Sequence, residues 1–526
     1  MEAENTTEIA RPKPEIDADD RLSSLPDDVI SHILSFLPTK YAVGTAVLSR
    51  RWKDLWIRVS NLDFDNCLLY QPLPGNFAVH NLPPDEQRML MEDRERKLLE
   101  FSRFVYKVPS QHKSLDSVRR FRFHFTVEYS KSGVCPGFQL EREWVFGPLV
   151  EEIDILIEAL PESGRQWIRC LPQSFYTLKN LKVVKLHGVI LSAAEGSVLL
   201  PSVKILQLCE VEFRDCESVS SLISGCPVLE TALLEGGCLS HRNEQDVLIV
   251  SLPSLKNLKI IRFGNYDKCH IVIEAPVLEE LDLQDFVDLE FVGSSPLACL
   301  HSAHFDIGPY QSSDLSLDGV LDQISYAKKM FISGDTLHHL SAFDHVQFPD
   351  FPNLTHLTTQ TGASSLVLLS LLDSAPKLQS LVIDMGTATQ AMRLGCELFD
   401  LWTPECLLSS LEEIEVKDLV PNEDDMKLVA YLLEAGAVLK KVDMHVQHYH
   451  HDIKGRKKLA SLLELPRGSS CCEARLLLSN NEEICIDSNK EAVIDDDMNF
   501  DDYSDIEAEM DDDDDFDDFD GDTDDD

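Results

Sequence analysis

Residues 251–286 read SLPSLKNLKIIRFGNYDKCHIVIEAPVLEELDLQDF, and one phrase occurs in them twice. A proline is followed by apolar residues two, five and seven positions later: Pro253 by Leu255, Leu258 and Ile260, then Pro276 by Leu278, Leu281 and Leu283. Working outward, Pro148 is followed by Val150, Ile153 and Ile155, Pro201 by Val203, Leu206 and Leu208, and Pro376 by Leu378, Leu381 and Ile383. Weaker copies start at Pro227, with Ala232 in one apolar slot, and at Pro352, with Thr359 in another. Without the proline, Leu178, Leu181 and Val183 keep the phase, as do Val118, Phe121 and Phe123. Starts at 176, 201, 227, 253 and 276 lie 25, 26, 26 and 23 residues apart; 276 to 352 is close to three periods, and 376 follows 24 later. Apolar residues two apart face the same side of a strand. One strand and its return cannot bury that edge alone, whereas stacked units share a core and form an arc with a parallel sheet on its concave side. Proline ahead of each strand ends the return and has no ladder N–H to lose.

This period lies in the leucine-rich-repeat range, and L-x-x-L-x-L is that repeat's strand phrase. The usual asparagine is missing, so the returns are expected to be irregular and the arc most distorted between about 296 and 345. The chain as a whole reads as α+β. Residues beside the inward pair must point onto the concave face. Those nominated as a target-binding surface are Lys182, Gln207, Glu235, Lys259, Asp282, Gln284, Gln360 and Asp384.

Upstream, residues 22–56 read LSSLPDDVISHILSFLPTKYAVGTAVLSRRWKDLW. Ser24 suits a helix cap and Pro26 a first turn. Asp27 and Asp28 complement the helix dipole. Val29, Ile30, Ile33, Leu34 and Leu37 recur at helical spacing. After Pro38, residues 42–56 read as further helix, with Val43, Val47, Leu48, Trp52, Leu55 and Trp56 as its apolar face. The order LPDD, ILSFLPTK, VLSRRWKDLW resembles plant-type F-boxes. The resemblance implies docking onto the SKP-type linker subunit of a cullin–RING (SCF) ubiquitin ligase through Leu25, Pro26, Ile30, Ile33, Leu34, Leu37 and Leu48, with Trp52 bracing the hairpin. Which apolar residues face the partner and which face the hairpin core stays open at this point.

Residues 402–446 read WTPECLLSSLEEIEVKDLVPNEDDMKLVAYLLEAGAVLKKVDMHV. Leu411, Ile414 and Val416 continue the strand phrase, residues 426–435 read as an amphipathic helix ending near Gly436, residues 438–444 as a strand and residues 454–465 as a second helix before Pro466. Cys406 to Leu411, Leu432, Leu433 and residues 438–441 resemble the FBD region that follows the repeats in plant F-box/LRR-repeat/FBD proteins. That segment is expected to cap the solenoid edge. The boundaries implied are 1–19, a disordered N-terminus; 20–62, the F-box; 63–114, a linker with a helical connection; 115–400, degenerate repeats; 401–476, the FBD region; and 477–526, a disordered acidic tail.

The net charge of −45 is uneven, since residues 495–526 hold 20 acidic residues and no Lys or Arg. A tail of that composition cannot bury enough apolar surface to fold. Its alternative use is docking a basic partner such as a histone, which would make the chain an acidic scaffold or chaperone-like protein. The acidic surface and the lack of a basic, aromatic-interleaved stripe argue against nucleic acid and anionic membranes. The 14 cysteines sit mostly in apolar runs, as reduced thiols do. No apolar leader and no uncharged run near the ~18 residues that span a bilayer is present, so a cytosolic or nuclear protein is expected. KGRKK at 454–458 reads as a basic turn. His445, His448, His450, His451 and Asp452, near Cys471 and Cys472, lack fixed metal-ligand spacing. The reading therefore names no catalytic residue, metal or cofactor, and expects a substrate adaptor rather than an enzyme.

Overall fold

A computed structural model describes residues 22, 24–69, 83–111, 117–127, 146–159, 171–191, 196–239, 247–262, 269–284, 289–291, 296–307, 318–341, 348–360, 365–386, 402–446 and 458–477. The repeated phrase forms one parallel sheet of 15 strands in which spatial order follows chain order. The strands are Asn61–Asp65, Arg120–Val127, Glu152–Ala159, Val183–His187, Ile205–Cys209, Thr231–Glu235, Asn257–Ile261, Glu280–Gln284, Ser302–Asp306, Lys329–Ile332, His356–Gln360, Ser380–Asp384, Glu413–Leu419, Lys441–Val446 and Glu473–Leu477.

The spacing of the phrase has a local cause. Its proline occupies the second position of a tight turn, where its fixed φ fits. The N–H two residues after the proline then bonds the carbonyl just before it, as Val203 does to Leu200, Leu229 to Cys226, Leu278 to Ala275 and Leu378 to Ala375. Residues three and four after the proline both donate to the preceding unit: Lys256 and Asn257 to the Glu230 carbonyl, Glu279 and Glu280 to that of Lys256. Two inward residues per strand follow in register. Leu258 lies between Ala232 and Leu281, and Ile260 between Leu234 and Leu283. All six are buried. Each fully buried Leu or Ile contributes about 1.5–3 kcal/mol, so the stack holds itself together through neighbours alone.

Strands end at a left-handed turn nine residues after the phrase begins. Gly188 has φ 66°, and a Cβ there would lie 2.0 Å from the Ile157 carbonyl oxygen, so only glycine fits. Glu210, Arg262 and Asp418 adopt φ 50°, 44° and 52° at the equivalent positions. Glutamate and arginine tolerate that region poorly and aspartate more readily, so the turn does not demand glycine in every unit.

Several expectations change. At the fourth strand Val184 and Leu186 are the buried pair and Val183 faces out. The unit therefore starts at 179, three residues later than the sequence phase of Leu178, Leu181 and Val183. The arc begins with Asn61–Asp65, inside the segment read as F-box and connection, because Val59, Leu62 and Phe64 carry the same spacing and are buried. Its return is the 28-residue helix Pro84–Gln111, which packs Leu98, Phe101 and Val105 under the first strands. The stretch 296–345 does not break the sheet. Ser302–Asp306 and Lys329–Ile332 pair in register, and helices Asp318–Ile324 and Gly334–Ser341 take up the extra length. The FBD segment adds three further strands to the same sheet. Its helix is Glu423–Ala435, with the Asn422 side chain accepting from the Asp425 N–H. The ends of the chain, including the acidic tail, and residues 447–457 lie outside the described residues.

The F-box hairpin is shorter in α-helix than expected. Helix Asp27–Leu34 starts after Pro26, which holds the cap position. Residues 42–56 divide into the end of helix Thr39–Gly44 and two 3-10 turns, Thr45–Val47 and Trp52–Arg58.

Candidate docking surfaces

Two faces of helix Asp27–Leu34 have opposite fates. Ile30 and Leu34 are buried in the hairpin core with Trp52, Leu55 and Trp56. They hold the module together and are closed to a partner in this arrangement. On the other side Val29, Ile33, Phe36 and Leu37 are exposed, joined by Leu22, Tyr41, Val47 at 88% and Leu48 at 65%. Eight of the 18 exposed large apolar side chains among the described residues thus fall within residues 22–48. Such a concentration on a short module marks an interaction surface. Of the nominated linker-binding residues, Ile33, Leu37 and Leu48 lie on this face with Pro26 also exposed, Leu25 is half-buried, and Ile30, Leu34 and Trp52 lie beneath it. Phe36 and Val47 join it; their signal was their place beside buried helical positions, which leaves them no core to enter.

The surface is rigidly mounted. Arg51 ties the start of the helix, donating to Asp27 at 2.7 and 2.9 Å and to the Leu25 carbonyl. Thr39 Oγ1 accepts from the Asp63 N–H at 2.7 Å, Asn61 Nδ2 donates to the Ser35 carbonyl at 2.9 Å, and Ser35 Oγ accepts from the Ser60 N–H at 3.2 Å. These bonds dock the module onto the first strand of the arc.

The concave face is the second surface. At its first strands Arg122 meets Asp63 at 3.0 Å, Asp65 at 3.5 Å and Asp154 at 3.9 Å, while His124 Nε2 lies 3.1 Å from Asp154. Burial pushes the Asp154 carboxyl up, but the hydrogen bond and charge of His124, with Lys185 and Arg122, outweigh it and hold the group below the usual carboxylate value. At the last strands Arg475 grips Asp443 at 2.8 and 2.9 Å, and Lys441 adds a contact at 2.7 Å. For Asp443 also burial raises the pKa, and Lys441 and Arg475 reverse it. A carboxyl held low in the folded state stabilises above its unfolded pKa, and that stability is lost as pH falls through the folded value. Below about pH 4 the unfolding midpoint of the wild type should therefore drop more steeply than that of Asp443→Asn, as thermal melts across pH 2–6 would show. Parallel pH profiles would contradict this.

Between these self-paired ends the middle row, in register, runs Gln207, Leu233, Lys259, Asp282, His304, Phe331, Thr358 and Val382. His304 stacks on Phe331 with centroids 4.1 Å apart. Lys259 pairs with Asp282 at 2.8 Å, and Gln284 donates to Asp282 at 2.8 Å. Glu235 accepts weakly from the Cys209 thiol at 3.6 Å, which burial, aided by Glu235, pushes up to about 11. Gln360 and Asp384 sit on the third row, each accepting from a backbone N–H, that of Gly334 and of Gly386 respectively. Seven of the eight nominated residues thus lie on this face. Lys182 does not: the three-residue slip in phase placed it there, whereas it stands one residue ahead of its strand, on the rim, 2.8 Å from Glu151. Lys185 takes the concave position. Leu233 and Val382 were passed over because only polar positions were considered, although the phase places them between inward residues, and Phe331 lies on a strand that the phrase does not mark.

Cys406, buried and donating to the Leu372 carbonyl at 3.3 Å, is pushed up to about 12 by burial and is an inert core thiol. Among the described residues no cluster of three metal-ligating side chains forms, and no helix is long and apolar enough to cross a membrane.

Comparison with known families follows the same order of parts. The F-box domain profile matches residues 22–64, the repeats of FBD-associated F-box protein At5g56370 match 150–295, and FBD matches 403–443. F-box/FBD/LRR-repeat protein At5g22660 of Arabidopsis thaliana is 30% identical over 490 residues, covering 87% of this chain and 97% of that protein. F-box/LRR-repeat protein 13 of the same plant is 30% identical over 479 residues, 87% of this chain and 96% of the relative. F-box/FBD/LRR-repeat protein At2g26030 is 29% identical over 452 residues, 81% and 92% respectively. With hairpin, arc and C-terminal strands in one order over nearly the full length of these relatives, the chain belongs to the plant F-box/FBD/LRR-repeat family.

Proposed function

We propose that this chain is a non-catalytic substrate adaptor of an SCF-type ubiquitin ligase. The F-box would hold the SKP-type linker subunit, and the concave middle of the arc would hold the protein to be ubiquitinated. The observation that carries this reading is the exposed apolar face of residues 22–48, which the chain's own core does not use. Rigid mounting on the first strand keeps linker and target at a set separation. The ligase's other subunits would then act on target lysines at high effective concentration, with no chemistry required of the adaptor.

Target binding is assigned to the span from Gln207 to Val382, because the two ends of the face already satisfy their own charges. Leu233, the His304–Phe331 stack and Val382 offer apolar and aromatic area, and Lys259 and Asp282 supply orientation. Buried aromatic anchors dominate most interfaces. In a reconstituted ligase, addition of the full chain should direct ubiquitin onto proteins it captures. His304→Ala with Phe331→Ala should weaken that capture about 100-fold, while linker binding stays within about twofold. Undiminished ubiquitination by the double variant would remove the concave face from the account.

A further inference from the structure

We propose that the acidic segment 495–526 lies along a groove on the rim of the arc, at the N-terminal ends of the strands. The groove holds about 1180 Å³ and runs from Lys182 to Asn353. Two rows of side chains build it. The residue after the second position of the turn, held by Pro227, Pro276 and Ser325, gives an apolar row at every second strand: Val228, Val277 and Tyr326, each 38–39% exposed. The residue just ahead of each strand gives a row rich in lysine, including Lys204, Lys256 and Lys328. Lys204 pairs with Glu230 at 2.7 Å and Lys182 with Glu151 at 2.8 Å, but Lys256 and Lys328 make no ion pair among the described residues. With Glu230 and Glu279 the only carboxylates among the described residues of its lining, against Lys182, Lys204, Lys256 and Lys328, the groove is net positive in a chain of net charge −45.

The segment matches it in charge, spacing and reach. It carries 20 carboxylates and no basic residue, and its aromatic residues come in two pairs three apart, Phe500 with Tyr503 and Phe516 with Phe519. In a polyproline-type strand, residues three apart share one face about 9.3 Å apart. Alternate strands of a sheet lie about 9.6 Å apart, so either pair can seat on Val228 and Val277, or on Val277 and Tyr326. The 17 residues 478–494 that follow the last strand can extend about 60 Å. Five to ten strand spacings, about 24–48 Å, separate the last strand from the groove, with about 17 Å more to cross the sheet. Tethering supplies an effective concentration in the millimolar range, which favours this occupant over a free acidic peptide. The arrangement is independent of whether the F-box engages a linker.

Zero-length carbodiimide coupling of the full chain, followed by peptide mapping of the monomer fraction, tests this. Lys204–Glu230 is the internal control. The expected result is coupling of Lys256 and Lys328 to carboxylates within 495–526, unchanged on dilution and falling about tenfold at 0.5 M salt through screening. Replacing Phe500, Tyr503, Phe516 and Phe519 by serine should lower the yield about as much with charge unchanged. The proposal is overturned if the control couples while Lys256 and Lys328 do not. It is equally overturned if the segment couples as strongly to lysines far from the groove, such as Lys53 and Lys427, or only between copies of the chain.

Discussion

Aspartate at both Val47 and Leu48 is expected to abolish capture of the linker subunit, weakening it at least ~100-fold, while the unfolding midpoint of the full chain stays within about 1 °C. Both side chains stand free of the core, so stability has little to lose. Each, if covered by a partner, would bury a full aliphatic side chain worth about 1.5–3 kcal/mol. An aspartate in its place adds the penalty of desolvating an unpaired charge. Leu34 is the instructive contrast, because it is buried in the hairpin. Leu34→Ala should lower stability by about 2–5 kcal/mol and weaken binding only through unfolding. Loss of binding by the first variant without loss of stability identifies the exposed face as the contact. Binding of wild-type strength by Val47→Asp/Leu48→Asp would remove that face from the site.

Phe123→Ala should have the largest effect on stability, about 3–5 kcal/mol. Phe123 has no solvent exposure and sits in a run of aromatic contacts, 6.2 Å from both Phe101 and Phe125, with Phe64 5.9 Å from Phe104 in the same layer. Phe101 and Phe104 belong to helix Pro84–Gln111 and Phe64 to the first strand, so the deletion opens a cavity where the F-box mount, the first return and the arc meet. Repeat arrays transmit stability between neighbours. The variant should therefore loosen the N-terminal strands first, seen as faster hydrogen exchange at residues 61–65 and 120–127 than at 413–446. Uniform exchange along the arc, or a loss below 1 kcal/mol, would contradict this account of the seam.

Where the phrase was intact, the fold could be read directly: Pro201, Pro253, Pro276 and Pro376 each mark a turn, and the apolar residues behind them mark the buried pair. Where the proline is absent, the phase alone was ambiguous. LKVVKL at 181–186 offers two alternating apolar pairs, Leu181 with Val183 and Val184 with Leu186, and only packing against Ile153 and Leu206 selects the second. Strands 302–306 and 329–332 were hidden because Ala303, Ala327 and Met330 are weak strand signals that neighbours on both sides enforce. In the F-box, helical spacing identified apolar residues without saying which half is covered. Ile30 and Leu34 each stand three positions from Ile33 and Leu37, and only the tertiary contact with Leu55 and Trp56 separates the buried pair from the exposed one. The concave row shows the same limit, since Leu233 and Leu234 are chemically alike and only the pleat turns one outward.

The central claim is that residues 22–48 present a working linker-binding face. Its most direct test is a calorimetric titration of the wild-type full chain with purified SKP-type linker subunit at physiological salt, repeated at several temperatures. The account predicts saturable one-to-one binding with a negative heat-capacity change, the mark of apolar surface leaving water. Absence of saturable binding under these conditions would contradict the adaptor role.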